Sequence, residues 1–138
     1  MFPGKKLKVI GVTGTDGKTT TVSIIYHILK ENGHETSLLT SIGAIVGTKK
    51  YDTGFHVTTP SAYILQKLLR QANKAGSEYF VLEVTSHALD QFRVLGIPFK
   101  IGVLTNITSE HLDYHKTFDN YFKTKEKLLK KAESFIIR

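Results

Sequence analysis

The chain has 138 residues and a formal net charge of +7, and 41% of its residues are hydrophobic. This length fits one domain with a substantial core, and the composition is that of a globular rather than a disordered protein. The sequence has no cysteine, which excludes disulfides and thiolate chemistry. It has no apolar run long enough for a transmembrane helix, and its N-terminus lacks the apolar centre of a signal peptide, so we expect a cytoplasmic protein.

The positive charge raises the question of nucleic-acid binding. The lysines crowd one predicted helix near the C-terminus and are otherwise scattered, without interleaved aromatic residues. We interpret the charge as a solvated helix face together with the cations of a phosphate site. We therefore expect no nucleic-acid partner and no membrane association.

A glycine-rich loop joins the first predicted strand, Lys8–Val12, to a helix that begins at Lys18 and ends near Asn32. Glycines allow backbone N–H groups to approach an anion closely, and the helix N-terminus adds favourable partial charge. Lys18 is placed to reach the β- and γ-phosphates, and the Thr19 hydroxyl to bind Mg²⁺. The usual phosphate-loop pattern has a further glycine where this chain has Val12, so a plain glycine-rich turn is the alternative at this point.

Strands and helices continue to alternate, which predicts an α/β fold with a mostly parallel sheet and flanking helices. The further predicted strands are Glu35–Thr40, Tyr79–Val84, Lys100–Thr105 and one that begins at Ser134, with a hairpin or loop over Ser41–Thr53. The further predicted helices run from Pro60 to near Gly76 and from Thr117 to Glu133. The final apolar run indicates either an incomplete domain or a short edge strand.

Two more strand ends carry polar residues, and ligands in open α/β sheets bind at the carboxyl ends of strands. Glu83 ends one predicted strand, where a carboxylate opposite a phosphate loop can hold Mg²⁺; the alternative is an acid that caps the next helix. Asn106 follows another strand, and His111 lies beside two acids just beyond it. His111 is therefore the strongest candidate metal ligand among the histidines, whereas we interpret His87 and His115 as structural.

Together these patterns resemble the central domain of the Mur ligases over nearly the whole chain. The motifs that carry the resemblance are Gly14-Thr15-Asp16-Gly17-Lys18-Thr19-Thr20, Thr58-Thr59-Pro60, Glu83-Val84-Thr85-Ser86-His87, Gln91-Phe92-Arg93 and Asn106–His115. The resemblance is strongest to the members that add the third residue of the peptidoglycan stem peptide. It implies a P-loop NTPase-like fold, ATP and Mg²⁺ as cofactors, and a UDP-MurNAc-peptide substrate. The implied reaction is ATP-dependent amide-bond formation through an acyl phosphate.

The resemblance also implies roles for individual residues. The implied nucleotide-binding residues are Gly14, Thr15, Asp16, Gly17, Lys18, Thr19, Thr20 and Asn106. The implied metal ligands are Thr19, Glu83, His111 and Lys125, the last as a carbamate, and the implied catalytic residues are Lys18, Glu83, His111 and Lys125. The implied contacts to the UDP-muramoyl dipeptide are Thr58, Thr59, Thr85, Gln91 and Arg93. The alternative for Lys125 is an ordinary solvated lysine on a very basic helix.

A complete Mur ligase has an N-terminal domain for the uridine nucleotide and a C-terminal domain for the incoming amino acid, and residues 1–138 resemble neither. We therefore expect an incomplete central domain that does not ligate alone, either a fragment or half of a split enzyme with separately encoded domains. One alternative is a nucleotide-binding remnant that acts as a regulatory or interaction module. Another is a related folylpolyglutamate or cyanophycin-type amide ligase, against which Thr58-Thr59-Pro60 and Gln91-Phe92-Arg93 argue.

Overall fold

A seven-stranded sheet forms the centre of the computed structural model, which describes residues 7–51, 60–108 and 118–137. The strands are β1 Lys8–Thr13, β2 Thr36–Leu39, β3 Ala44–Val46, β4 Lys49–Tyr51, β5 Tyr79–Glu83, β6 Phe99–Leu104 and β7 Ser134–Ile137. The helices of the described part are α1 Lys18–Glu31, α2 Ala62–Lys74, α3 Ser86–Asp90 and α4 Phe118–Lys131.

The strands are ordered β4-β3-β2-β5-β1-β6-β7. The five strands from β2 to β7 in this order are parallel, and β3 and β4 extend the sheet as an antiparallel hairpin. This arrangement confirms the predicted mostly parallel α/β fold. In the centre of the sheet Val12 of β1 pairs with Glu83 of β5, and Thr13 pairs with Leu104 of β6. The carboxyl ends of these strands therefore meet at one edge.

Helices cover both faces of the sheet because the side chains of each strand alternate between the faces. On one face Val22 of α1 packs in a cluster with Ile10 and Val12. On the other face α2, α3 and α4 contribute Leu65, Leu69, Leu89 and Leu128 to a larger cluster that includes Val9 and Phe80. A sheet covered on both sides needs nearly continuous apolar strands, which is what β1 and β5 provide.

Gly11 allows helix α4 to lie close to β1. A Cβ atom at this position would lie 2.7 Å from Phe99 Cε1 and 2.9 Å from Leu128 Cδ1. Lys125 precedes Leu128 by three residues and so shares its side of the helix. The close approach at Gly11 therefore also brings Lys125 towards the end of β1.

Helix α3, which follows β5 closely, has bounds that the sequence patterns did not predict. Its N-cap is Thr85, whose Oγ1 accepts a hydrogen bond from the backbone N–H of Ala88 at 3.1 Å. The interpretation of Glu83 as the acid that caps this helix is therefore wrong.

Candidate functional site

The loop between β1 and α1 has the features of an anion site. Gly17, the last residue before α1, has a φ of 79°, a left-handed conformation that favours glycine. The first turn of α1 carries no acidic residue. The N–H groups and the positive end of the helix dipole at this terminus are therefore not neutralised by a carboxylate within the turn itself.

Lys18 folds back over this loop. Its Nζ donates hydrogen bonds to the carbonyl oxygens of Gly14 at 3.0 Å and Thr15 at 2.9 Å. The predicted phosphate-binding lysine therefore lies directly at the loop.

Glu83 lies at the same edge and joins two neighbouring elements. Its carboxylate is 3% exposed and its Oε2 accepts hydrogen bonds from the Thr19 hydroxyl at 2.9 Å and the Ser41 backbone N–H at 3.0 Å. The hydroxyl oxygens of Thr19 and Ser41 lie 3.2 Å apart. The structure thus brings together the predicted pair Thr19 and Glu83 and adds Ser41, which the sequence analysis missed. Ser41 follows closely after β2, so the strand-edge rule applied to β2 was a signal that could have found it.

Lys125 is buried against the phosphate-binding loop. It is 2% exposed, and its Nζ donates a hydrogen bond to the Gly14 carbonyl at 2.9 Å. Burial, and then the positive charge of Lys18, lower the pKa of Lys125 to about 7. The alternative of a solvated lysine is therefore wrong.

Asn106 also contacts the loop, but through the loop backbone. Its Oδ1 accepts hydrogen bonds from the N–H groups of Thr15 at 3.1 Å and Asp16 at 2.9 Å. The preceding residue, Thr105, donates its hydroxyl to the Asp16 carbonyl at 2.7 Å. Thr105 was not predicted, since nothing in its local sequence distinguishes it from other threonines.

Three of the residues expected to contact the substrate lie after β5. Thr85 is half-buried and caps α3, as described above. In the turn that follows α3, Arg93 Nη2 donates a hydrogen bond to Gln91 Oε1 at 2.6 Å. Phe92 between them is exposed and has a φ of 56°, which is rare for a residue with a side chain.

Thr58, Thr59 and His111 lie outside the described residues. Within the described ranges, no group of three His, Asp or Glu side chains could hold a metal ion. The same part of the chain contains no helix that is long and apolar enough to span a membrane.

The fold and this site define the class of protein. A parallel sheet, a glycine loop before a helix, and a lysine with a strand-end carboxylate at one edge are the parts of a phosphate-loop nucleotide-binding domain. Within this class the chain belongs to the Mur ligase family, because its residues 12–137 match the Mur ligase middle domain.

Several named ligases are similar to this chain. It is 47% identical over 135 residues to the UDP-N-acetylmuramoyl-L-alanyl-D-glutamate–2,6-diaminopimelate ligase of Clostridium perfringens. The match covers 98% of this chain and 28% of that protein. A solved structure of a ligase with the same name superposes with a TM-score of 0.81 and 30% identity, over 95% of this chain and 26% of that one. The MurF ligase of Thermotoga maritima in complex with ADP gives a TM-score of 0.65 and 28% identity, over 95% of this chain and 28% of that one. The chain thus spans little more than a quarter of the length of these relatives.

Proposed function

We propose that this chain binds Mg-ATP in a cytoplasmic ligase that adds the third residue to UDP-MurNAc-dipeptide in peptidoglycan synthesis. The observation that carries the proposal is the convergence of Lys18, Thr19 and Glu83 at the end of β1. The names of the similar proteins support the peptidoglycan substrate. They favour this function over a regulatory remnant or a ligase of another substrate class.

The phosphates would lie against the loop Gly14–Thr20. There they would accept hydrogen bonds from the free N–H groups at the start of α1. Lys18 would exchange its two carbonyl acceptors for phosphate oxygens, a charge-assisted contact that is stronger than a neutral one. This residue would then neutralise charge that develops on the transferred phosphoryl group.

The residues around Glu83 fit a magnesium ion. Mg²⁺ prefers oxygen ligands and retains several waters, and it is usually bound by one or two carboxylates together with substrate phosphates. Glu83 and Thr19 supply one carboxylate and one hydroxyl, with the Ser41 hydroxyl 3.2 Å from that of Thr19. The ion would supply charge neutralisation at the phosphates. We also propose His111 as a further ligand.

We propose in addition that Lys125 becomes a carbamate in the metal-loaded protein. A carbamate forms from the neutral amine, and a pKa lowered to about 7 makes much of this amine neutral near neutral pH. The modification would replace a cation next to Lys18 by an anion. It would thereby remove the repulsion between the two side chains and provide an oxygen ligand.

In the proposed reaction the substrate carboxylate attacks the γ-phosphate of ATP and displaces ADP, which gives an acyl phosphate. The amine of the incoming amino acid then attacks the acyl carbon, releases inorganic phosphate and loses a proton to form the amide. Thr58, Thr59, Thr85, Gln91 and Arg93 would hold the UDP-muramoyl dipeptide. Other domains, on the same or on a separately encoded polypeptide, would bind the uridine and the amine. Because proximity accounts for roughly 7–11 kcal/mol of such a barrier, we expect no ligation by these 138 residues alone.

Calorimetric titration with ADP, in Mg²⁺ and in a chelator, tests the proposal on the chain itself. We expect Lys18→Ala to weaken Mg-ADP binding by about 2 kcal/mol, roughly 30-fold in Kd, since it removes a charge-assisted contact. The matched control is Lys30→Ala, at the other end of α1. Lys30 forms a surface ion pair with Glu35 at 3.2 Å, so its loss should leave the affinity unchanged.

The outcomes separate clearly. A wild-type chain that does not bind Mg-ADP contradicts the nucleotide proposal. Equal affinity of the wild type and Lys18→Ala contradicts the assignment of the loop. An affinity that is the same with and without Mg²⁺ contradicts the metal site at Glu83.

A further inference from the structure

The turn after β6 is joined to the phosphate-binding loop by a dense set of hydrogen bonds. Besides the contacts of the Asn106 carboxamide, the Thr15 N–H donates to the Asn106 carbonyl at 3.0 Å. The Thr105 hydroxyl donates to the Asp16 carbonyl at 2.7 Å, and the Thr108 N–H donates to the Thr15 hydroxyl at 3.0 Å. Asp16 is therefore held by both its N–H and its carbonyl group.

The first glycine of the loop fits this turn. A Cβ atom at Gly14 would collide with the Thr105 Oγ1 and would lie 3.1 Å from both the N and the O of Asn106. Gly14 also has a φ of 146°, which L side chains rarely adopt. Because Gly14 has no side chain, the Thr105 hydroxyl can pack against the loop. This is a second reason for a glycine here, besides the close approach of the loop backbone to an anion.

We propose that Thr105 and Asn106 are positioning residues that fix the phosphate-binding loop in its nucleotide-binding conformation. This inference rests on the proposed function of the loop. Neither residue needs to touch a phosphate for this role, because both act through the backbone of Asp16. Asp16 is followed directly by Gly17 and Lys18, so its orientation sets the direction of the N–H groups that begin α1.

The position of the hydroxyl explains why a threonine side chain suits this site. Thr105 donates its hydroxyl to the Asp16 carbonyl at 2.7 Å and its backbone N–H to the Thr13 carbonyl at 3.0 Å. It thus ties the loop residue Asp16 to the last residue of β1. β1 is largely buried and paired with a strand on each side. The loop therefore takes its position from the sheet and loses less conformational entropy when a nucleotide binds.

The first experiment compares the affinity for Mg-ADP of Thr105→Val and Thr105→Ser by calorimetry. Valine keeps the shape and removes the donor, so we expect a roughly tenfold weaker affinity, whereas serine keeps the donor and should stay within about twofold of the wild type. The matched control is Thr36→Val. Thr36 is a buried threonine whose hydroxyl donates to the His34 carbonyl at 2.9 Å, far along the sequence from the loop. This control should lower stability towards urea and leave the affinity unchanged.

The results decide between positioning and general stability. Affinity of Thr105→Val within twofold of the wild type overturns the proposal, and so does an equal loss of affinity in Thr36→Val. A wild type that does not bind Mg-ADP contradicts the function of the loop instead and leaves the next measurement as the test of positioning.

The second experiment needs no ligand and no change in the core. Asn106 is exposed, so Asn106→Ala should remain folded. The Asp16 N–H donates to the Asn106 Oδ1, and we expect its hydrogen exchange in the wild type to be at least about tenfold slower than in this variant. Equal exchange of the Asp16 amide in the two proteins overturns the proposal.

Discussion

Two lysine side chains share one acceptor in this site. Lys18 and Lys125 both donate to the Gly14 carbonyl, at 3.0 and 2.9 Å. Lys18 keeps part of its surface in solvent, whereas Lys125 is buried. Burial is the main reason why the pKa of Lys125 is lowered to about 7. The burial of a lysine in this position has a cost in stability that depends on pH, because the folded protein disfavours its charged form.

The first prediction concerns this dependence. The pKa of Lys125 falls from an ordinary value of 10.5 to about 7 on folding, so between these values the unfolded chain binds more protons. The free energy of unfolding should therefore rise with pH, by about 2 kcal/mol from pH 7 to pH 9. Urea denaturation in buffers free of carbon dioxide measures it for the wild type and for Lys125→Met, which has no titratable group. We expect the free energy of unfolding of the wild type minus that of Lys125→Met to increase by this amount from pH 7 to pH 9. If this difference does not change with pH, the burial of a titrating amine is contradicted.

At the scale of elements, the packing of α4 on the sheet decides where Lys125 lies. The contact depends on Gly11 in β1 and on Gly102 in β6, since both strands pass beneath the helix. Gly102 is less crowded than Gly11, because a Cβ atom there would lie 3.2 Å from the Ala132 Cβ. Substitution of each glycine by alanine therefore tests how tightly α4 packs on the sheet, with a larger steric clash expected at Gly11 than at Gly102.

We expect Gly11→Ala to destabilise the protein by about 1–3 kcal/mol, because the added methyl group collides with the Phe99 and Leu128 side chains. Gly102→Ala should cost clearly less, since the neighbour needs to move only slightly and the unfolded chain loses entropy. Chemical denaturation of both variants measures the difference. Equal stabilities of the two variants would show that α4 is not packed as tightly as these distances indicate.

The strand-and-helix order and the main parts of the site could be predicted because each depends on neighbouring residues. The loop before α1 is continuous in sequence, and Glu83 follows from the rule that ligands bind at the carboxyl ends of parallel strands. Contacts between distant segments could not be predicted in this way. The Ser41 N–H and the Glu83 carboxylate are 42 positions apart, and Thr105 and Asp16 are 89 apart.

Lys125 lies between these cases. Its helix is rich in lysine, which suggests a solvated face. Yet Lys125 precedes Leu128 and Leu129 by three and four residues, the spacing that places side chains on one side of a helix. Its spacing from these two leucines therefore indicates that Lys125 lies on the buried side of α4.

At the scale of the whole molecule, the two edges of the sheet differ. β4, at one edge, is short and carries Lys49 and Lys50, a charged pattern that protects an edge from pairing. β7, at the other edge, has no further partner strand among the described residues, and Phe135, Ile136 and Ile137 are each exposed by more than half. Phe135 and Ile137 also line an apolar hollow of about 320 Å³ against α4.

The last prediction follows from this edge. An exposed, apolar strand with unpaired backbone groups is a template for pairing with another chain, so we expect the 138-residue polypeptide to self-associate as its concentration rises. Ile136→Lys places a charge on the edge without altering the hollow and should shift the equilibrium towards monomer in sedimentation velocity. The matched control is Ile24→Lys, because Ile24 is similarly exposed, at 53% against 58%, but lies on α1, whose backbone groups are paired within the helix. Association that weakens equally in both variants would show that general surface hydrophobicity, and not the strand edge, drives it, and a wild type that stays monomeric at all concentrations would show that the edge does not pair.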